Sequence, residues 1–324
     1  MPRLPRLMPL LGAAWLGAVL AAGAADRILI LRAEGAHFQE TTNALKHELG
    51  AEFQCDERVT GTFSGPGALA SAIVQARPKA IVLMDNDAIE LYAAVQKYWL
   101  DTVPFPPSIS LMAVRVDQAI AGLKRATGIF YEVPAVTILV NLRSLVAEPV
   151  RRVGVIVRPS MEAFVRENAK WCKAENIELV PFVVAGNRQD VSRAVRTGVR
   201  RLSDREKVDA LWILNDNFFL TPEIIGGGWM PALERFRKPV LVGVENFVSA
   251  QAHFGSFAIL PDHYGLGVQA AGMILRLKEE DWELEGAAKV EQPLAVLKIL
   301  NLNQVRKHAH VNEAALVEVD KVIR

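Results

Sequence analysis

Small clusters of acidic, amide and aromatic residues in this chain fall directly behind apolar runs. Glu34, His37 and Phe38 lie in "AEGAHF", after "RILILR" (27–32), and Asp85, Asn86 and Asp87 follow "KAIVLM". Arg158 and Ser160 follow "RRVGVIV" (151–157), and Asn215, Asp216, Asn217 and Phe218 follow "DALWIL" (209–214). Glu245 and Asn246 end "KPVLVGV", and Asp262 and Tyr264 stand in "LPDHYG". Carboxylates at such places can hold a cationic group, and an arginine can grip a carboxylate through two N–H groups. Phe38, Tyr131, Phe218 or Phe247 can supply a flat wall beside them. The same residue types also cap helices and close Asx turns. A cap accounts for one of the residues Asp85, Asn86 and Asp87 but not for all three, and Asp262 stands where a cap is expected. Asn215–Asn217 differ, because the helix behind them carries its own start signal, Thr221-Pro222-Glu223.

Catalytic patterns are missing from the sequence. Gly265, Gly267 and Gly272 lack the spacing of a dinucleotide loop, and no P-loop, G-x-S-x-G, HExxH or CxxC occurs. The six histidines are scattered, so no metal, cofactor or enzymatic activity is expected. A hydrolase using two cleft carboxylates stands as an alternative of another class.

The elements that must position these clusters alternate regularly. Strand-like runs at 27–32, 52–59, 79–85 and 107–114 are separated by amphipathic stretches, and Phe38, Leu45 and Leu49 share one helical face. The pattern restarts with a helix at 135–146, followed by strands at 151–157, 177–184, 209–214, 238–244 and 255–261. Gly226–Gly228 are expected to break the helix around 222–236, a long helix spans 262–278, and 291–300 is strand-like. This predicts an α/β protein of two Rossmann-like lobes with parallel sheets, joined by a hinge of several crossings. The expected lobes are 25–130 plus about 254–284, and 131–253 plus about 285–324. In open α/β sheets ligands bind beyond the carboxyl ends of the strands, which is where the polar clusters fall.

Composition sets the surroundings. The chain has 324 residues, is 51% hydrophobic and 23% charged, and carries a formal net charge of +1, which argues against nucleic acid as a partner. Arg3 and Arg6 precede an apolar stretch ending in Ala22-Gly23-Ala24, the pattern of a signal peptide cleaved after Ala24. A periplasmic, monomeric protein is expected. Cys55 and Cys172 are the only cysteines and, placed in different lobes, are expected to be free.

The order of several motifs resembles the periplasmic substrate-binding proteins of ABC transporters with the type I binding-protein fold, in the branch linked with aromatic amino acids. The residues carrying it are "ATGIFYEVPAVTILVNL" (126–142), "RVGVIVRPS" (152–160), "NDN" (215–217), "KPVLVGVENFVSAQAHFGSFAILPDHYGLGVQAAGMI" (238–274) and "LNLNQVRKHAHVNE" (300–313). The resemblance covers roughly the last two-thirds of the chain, and its specificity lies in the order of short motifs. It implies that Asp216, Asn217, Glu245 and Asp262 contact the ligand. The first lobe departs from the family pattern: "GAHF" stands where His-Pro is usual, and "DND" where a Gly-Thr pair is usual. Glu34, Phe38, Asp85, Asp87, Tyr131 and Arg158 complete the expected site. Its six carboxylates against one arginine predict an amine-bearing or zwitterionic solute. The expected partner is an ABC permease, with a membrane sensor kinase as the alternative.

Overall fold

The computed structural model describes residues 25–98, 105–185, 190–284 and 289–324. The leader expected at 1–24 lies outside them. No helix among the described residues is long and apolar enough to cross a membrane.

In the first lobe, β1 (Asp26–Arg32), β2 (Phe53–Val59), β3 (Ala80–Met84), β4 (Ser108–Leu111) and β5 (Ala126–Ile129) form a parallel sheet. Helices α1 (Ala36–Leu49), α2 (Pro66–Ala76), α3 (Asn86–Tyr98) and the short α4 (Val116–Ala119) connect them. Ile28–Leu31 and Ala80–Met84 are all but inaccessible, as expected of central strands covered on both faces. Edge strand β2 instead alternates toward solvent.

The second lobe begins with α5 (Ala135–Leu145) and continues through β6 (Arg152–Val157), α6 (Glu162–Ala174), β7 (Glu178–Val183), α7 (Val191–Asp204) and β8 (Ala210–Trp212). A helical stretch follows, made of α8 (Pro222–Ile224), a π turn at Ile225–Trp229 and α9 (Met230–Leu233). The glycines expected to break it widen it by a π turn instead. A Cβ on Gly228 would sit 3.1 Å from Ser192 Cα, so this glycine lets the stretch press against α7. Trp229 is buried there, and its indole N–H donates to the Phe219 carbonyl at 3.0 Å.

The remaining elements are β9 (Val240–Val242), β10 (Phe257–Pro261), α10 (His263–Glu279), β11 (Val290–Glu291), β12 (Val296–Asn301), α11 (Leu302–Arg306) and β13 (Lys321–Ile323). The sheet orders are β11-β5-β4-β3-β1-β2 and β13-β12-β10-β9-β8-β6-β7, parallel except for the antiparallel β10–β12 pair. The chain therefore passes between the lobes three times, after β5, β10 and β11.

Two expected boundaries move. The sequence places the return to the first lobe at about residue 254, but β10 pairs with β9 and β12 in the second sheet, so the return comes only at Pro261–His263. The run at 291–300, expected as one strand of the second lobe, divides into β11 in the first sheet and β12 in the second. Pro293 lies between them, and a residue without an N–H interrupts a ladder. The crossings are tied together: Asp262 N–H donates to Ala295 O at 3.1 Å, and Phe130 N–H to Glu291 O at 2.9 Å. Gln269 fastens the third crossing, donating to Gln292 O at 3.0 Å and accepting from Leu294 N–H at 3.0 Å. Cys55 and Cys172 are free, one on β2 and one on α6.

Helix α10 packs along α1 at a distance that only a glycine permits. A Cβ on Gly267 would lie 2.3 Å from the Thr41 carbonyl oxygen and 2.7 Å from Ala44 Cβ. Gly272, on the same helix, has nothing within 4 Å of its would-be Cβ. Gly272→Ala is therefore expected to stabilise by up to about 1 kcal/mol through helix propensity. Gly267→Ala, with the same propensity gain, is expected to destabilise by about 1–3 kcal/mol through overpacking. Urea denaturation of the two variants checks the opposite signs.

Candidate ligand-binding site

The crossing segments leave from the carboxyl ends of β5, β10 and β11, so those ends of both sheets are turned toward the other lobe. The polar clusters singled out in the sequence occupy the same edge.

On the first lobe the clusters divide between structure and surface. Asp85 caps α3, its carboxylate accepting from Ala88 N–H at 2.7 Å, and burial pushes its pKa up. Its backbone holds φ at 95°, a conformation rare outside glycine that turns the chain sharply from β3 into the helix. Asn86 bonds the Val114 backbone twice, at 3.0 and 2.9 Å, and so fixes the loop after β4. Asp87 and Glu34 are exposed on their turns, whereas Phe38 is half-buried against the core beneath α1.

Tyr131, in the first crossing, joins residues that the sequence leaves 226 positions apart. Its hydroxyl lies 3.0 Å from His263 Nε2, and the His263 ring stacks on His37 with centroids 4.4 Å apart and planes at 29°. Both histidines sit in the first turns of helices that follow strands, α10 and α1. Thr41 locks the two helices together, its hydroxyl bonded to the carbonyls of His37 at 3.0 Å and His263 at 2.9 Å. Burial, followed by the neighbouring His37, lowers the His263 pKa to about 4, against the pull of Asp262 and Glu245. Burial also raises the Tyr131 phenol to about 12. The imidazole is neutral at ordinary pH.

On the second lobe Asp216 is buried and organises its own loop. It accepts from Arg158 Nε at 2.8 Å and from Phe218 N–H at 2.9 Å. Its carbonyl receives the amides of Phe219 and Leu220. Arg158, expected to grip a solute carboxylate, thus already spends one nitrogen on Asp216. Its guanidinium lies 5.6 Å from the Phe218 ring centroid and remains part exposed. Asn217 is exposed, and Asn215 donates to Gly243 O at 3.3 Å. Thr221 caps the following helix as its sequence suggests, accepting from Ile224 N–H at 3.4 Å. Glu245 pairs with Lys321 at 2.5 Å, and Asp262 caps α10 through Gly265 N–H at 3.2 Å. Beside the first crossing, Tyr131, Met161, Phe164, Trp212 and Asn215 line a small pocket.

Three partners escaped the sequence reading. Lys321 comes from the distant tail. Glu132, beside Tyr131, is half-buried, accepts from Arg115 N–H at 2.7 Å and has its pKa raised by burial. His263 was one histidine among six; its only local signal is its position behind a capping aspartate at a strand end.

No family model matches the sequence, and no curated protein sequence matches it. Solved structures do. The open, ligand-free substrate-binding protein with adhesive properties from Clostridium difficile is 14% identical with a TM-score of 0.66, over 92% of this chain and 99% of that one. An ABC domain in complex with L-Trp from Streptococcus pneumonia is 16% identical with a TM-score of 0.55, over 92% and 100%. An arabinose-binding protein from Geobacillus stearothermophilus is 11% identical with a TM-score of 0.54, over 89% and 100%. The fold is that of the type I periplasmic binding proteins: two α/β lobes with mostly parallel sheets.

The depressed His263 pKa links stability to pH. Unfolded, its imidazole protonates near pH 6.5; folded, only near about 4. As pH falls the unfolded chain gains the proton first, so His263's contribution is intact above pH 6.5 and is lost between 6.5 and 4. The loss is about 3 kcal/mol from the size of the shift. The wild type should lose that much more stability than His263→Gln across this window in urea titrations; equal losses would contradict the assignment.

Proposed function

We propose that the protein is an exported solute-binding protein that closes its two lobes on a small solute and delivers it to an ABC permease, acting by binding rather than catalysis. The observation supporting this most strongly is the facing of two sets of strand ends across three tied crossings. Such a linkage lets rigid lobes rotate about a few terminal residues and enclose a ligand. Solute sites combine apolar walls with a few placed polar groups, and Phe218, Tyr131 and the strand-end carboxylates offer that mixture.

The solute carries an amine, alone or as part of a zwitterion. Glu34, Asp85, Asp87, Asp216, Glu245 and Asp262 stand at these strand ends against Arg158 and Lys321, so the edge keeps an acidic surplus. A positive group entering there relieves repulsion among the carboxylates. The Arg158–Asp216 pair on Phe218 can receive both ends of a zwitterion, the carboxylate on the remaining guanidinium nitrogens and the ammonium toward the acids. The leader pattern expected at 1–24 supports export.

Protein expressed with its leader and recovered from a bacterial periplasm should carry such a solute in native mass spectrometry. A thermal-shift panel of amino acids, amines, nucleosides and sugars should then identify it. Saturation a hundredfold above its dissociation constant adds about 2.7 kcal/mol of apparent stability, and Asp216→Ala should weaken binding at least tenfold. Recovery of only strongly anionic species contradicts the reading.

A further inference from the structure

We infer that His37, Glu40 and His263 form a binding site for a divalent transition-metal ion of the zinc type at the first-lobe edge of the cleft. One donor atom from each of the three residues lies within 4.8 Å of the others. Two imidazoles and a carboxylate are the donor set that zinc and its neighbours take up, with further positions left for water or a chelating solute.

The parts of this cluster are arranged as a fixed ligand and two adjustable ones. His263 is buried, and its Nε2 lies 3.0 Å from the Tyr131 hydroxyl. A hydrogen bond on one ring nitrogen sets the tautomer and aims the ring, as the outer partners of metal-bound histidines do. His37 and Glu40 are exposed, three residues apart on α1 and therefore on one face of the helix. Among the described residues neither the His37 ring nor the Glu40 carboxylate has a hydrogen-bond partner; turning the His37 ring toward a metal gives up only its stack on His263. Bond lengths of about 2.0–2.2 Å require the donors to close by somewhat more than an ångström, within reach of side-chain torsions. Thr41 meanwhile holds the backbones of the two helix starts in register.

Electrostatics has two sides here. The first turns of α1 and α10 present positive dipole ends, which oppose a cation. Glu40, together with the nearby Asp262, supplies the offsetting negative charge, whereas Glu245 is paired with Lys321.

Zinc alone, titrated calorimetrically into metal-stripped wild-type protein, should bind saturably at one ion per chain with a micromolar or lower dissociation constant. His37→Ala and Glu40→Gln alter exposed residues and should fold; each should weaken binding at least tenfold. His47→Ala, at an exposed histidine on α1 outside the cluster, should stay within twofold of wild type. Cobalt in place of zinc should give visible absorption bands that His37→Ala abolishes. Absence of saturable binding by the wild type, or His37→Ala binding as tightly as the wild type, overturns the site.

Discussion

Parallel pairing obliges every strand of a sheet to end at the same edge, and each crossover helix then starts there. In this protein that constraint is imposed twice, and the three crossings join the two sheets through those edges. Everything chemically interesting follows from it. Backbone N–H groups of helix first turns, acidic caps and strand-end aromatics are gathered along one seam because the topology leaves them nowhere else to go. A sheet with hairpin connections would scatter the same residues over both ends.

The seam is economical in its use of charge. Asp85 and Asp262 end strands and start helices, so their carboxylates are anchored by backbone N–H groups. Asp216 is buried, and Arg158 offsets its charge while spending only one nitrogen. Lys321 reaches from the last strand to steady Glu245. Each of these groups is thus held in place by a structural bond, the kind of preorganisation that lowers the entropic cost of binding. His263 is the extreme case, buried between Tyr131, His37 and the Thr41 hydroxyl.

The sequence carried the fold through local signals. Alternating apolar runs and amphipathic stretches gave the βα order, and Thr221-Pro222-Glu223 marked a helix start correctly. The polar clusters at strand ends are legible for the same reason, since they are local to the turns that hold them. Signals that depend on distant neighbours were lost. Nothing near 257–261 reveals that this strand pairs with β9 and β12, because both lobes use similar short apolar runs. Gly226–Gly228 read as a break because the partner they press against, Ser192 on α7, is over thirty positions away. The His37–His263 stack and the Lys321–Glu245 pair arise only when separate segments fold together. Arg158 was visible as a cation, but its engagement by Asp216 was not.

The central claim is that strand ends from both lobes together enclose one solute. Hydrogen exchange read by mass spectrometry tests it most directly, comparing protein as recovered with its solute against the same protein stripped by unfolding and refolding. The account predicts that the solute-bound form slows exchange at 33–41 and 130–134 on one side and at 215–220 and 243–248 on the other, together. Protection confined to one lobe, or lying away from these strand ends, would contradict it.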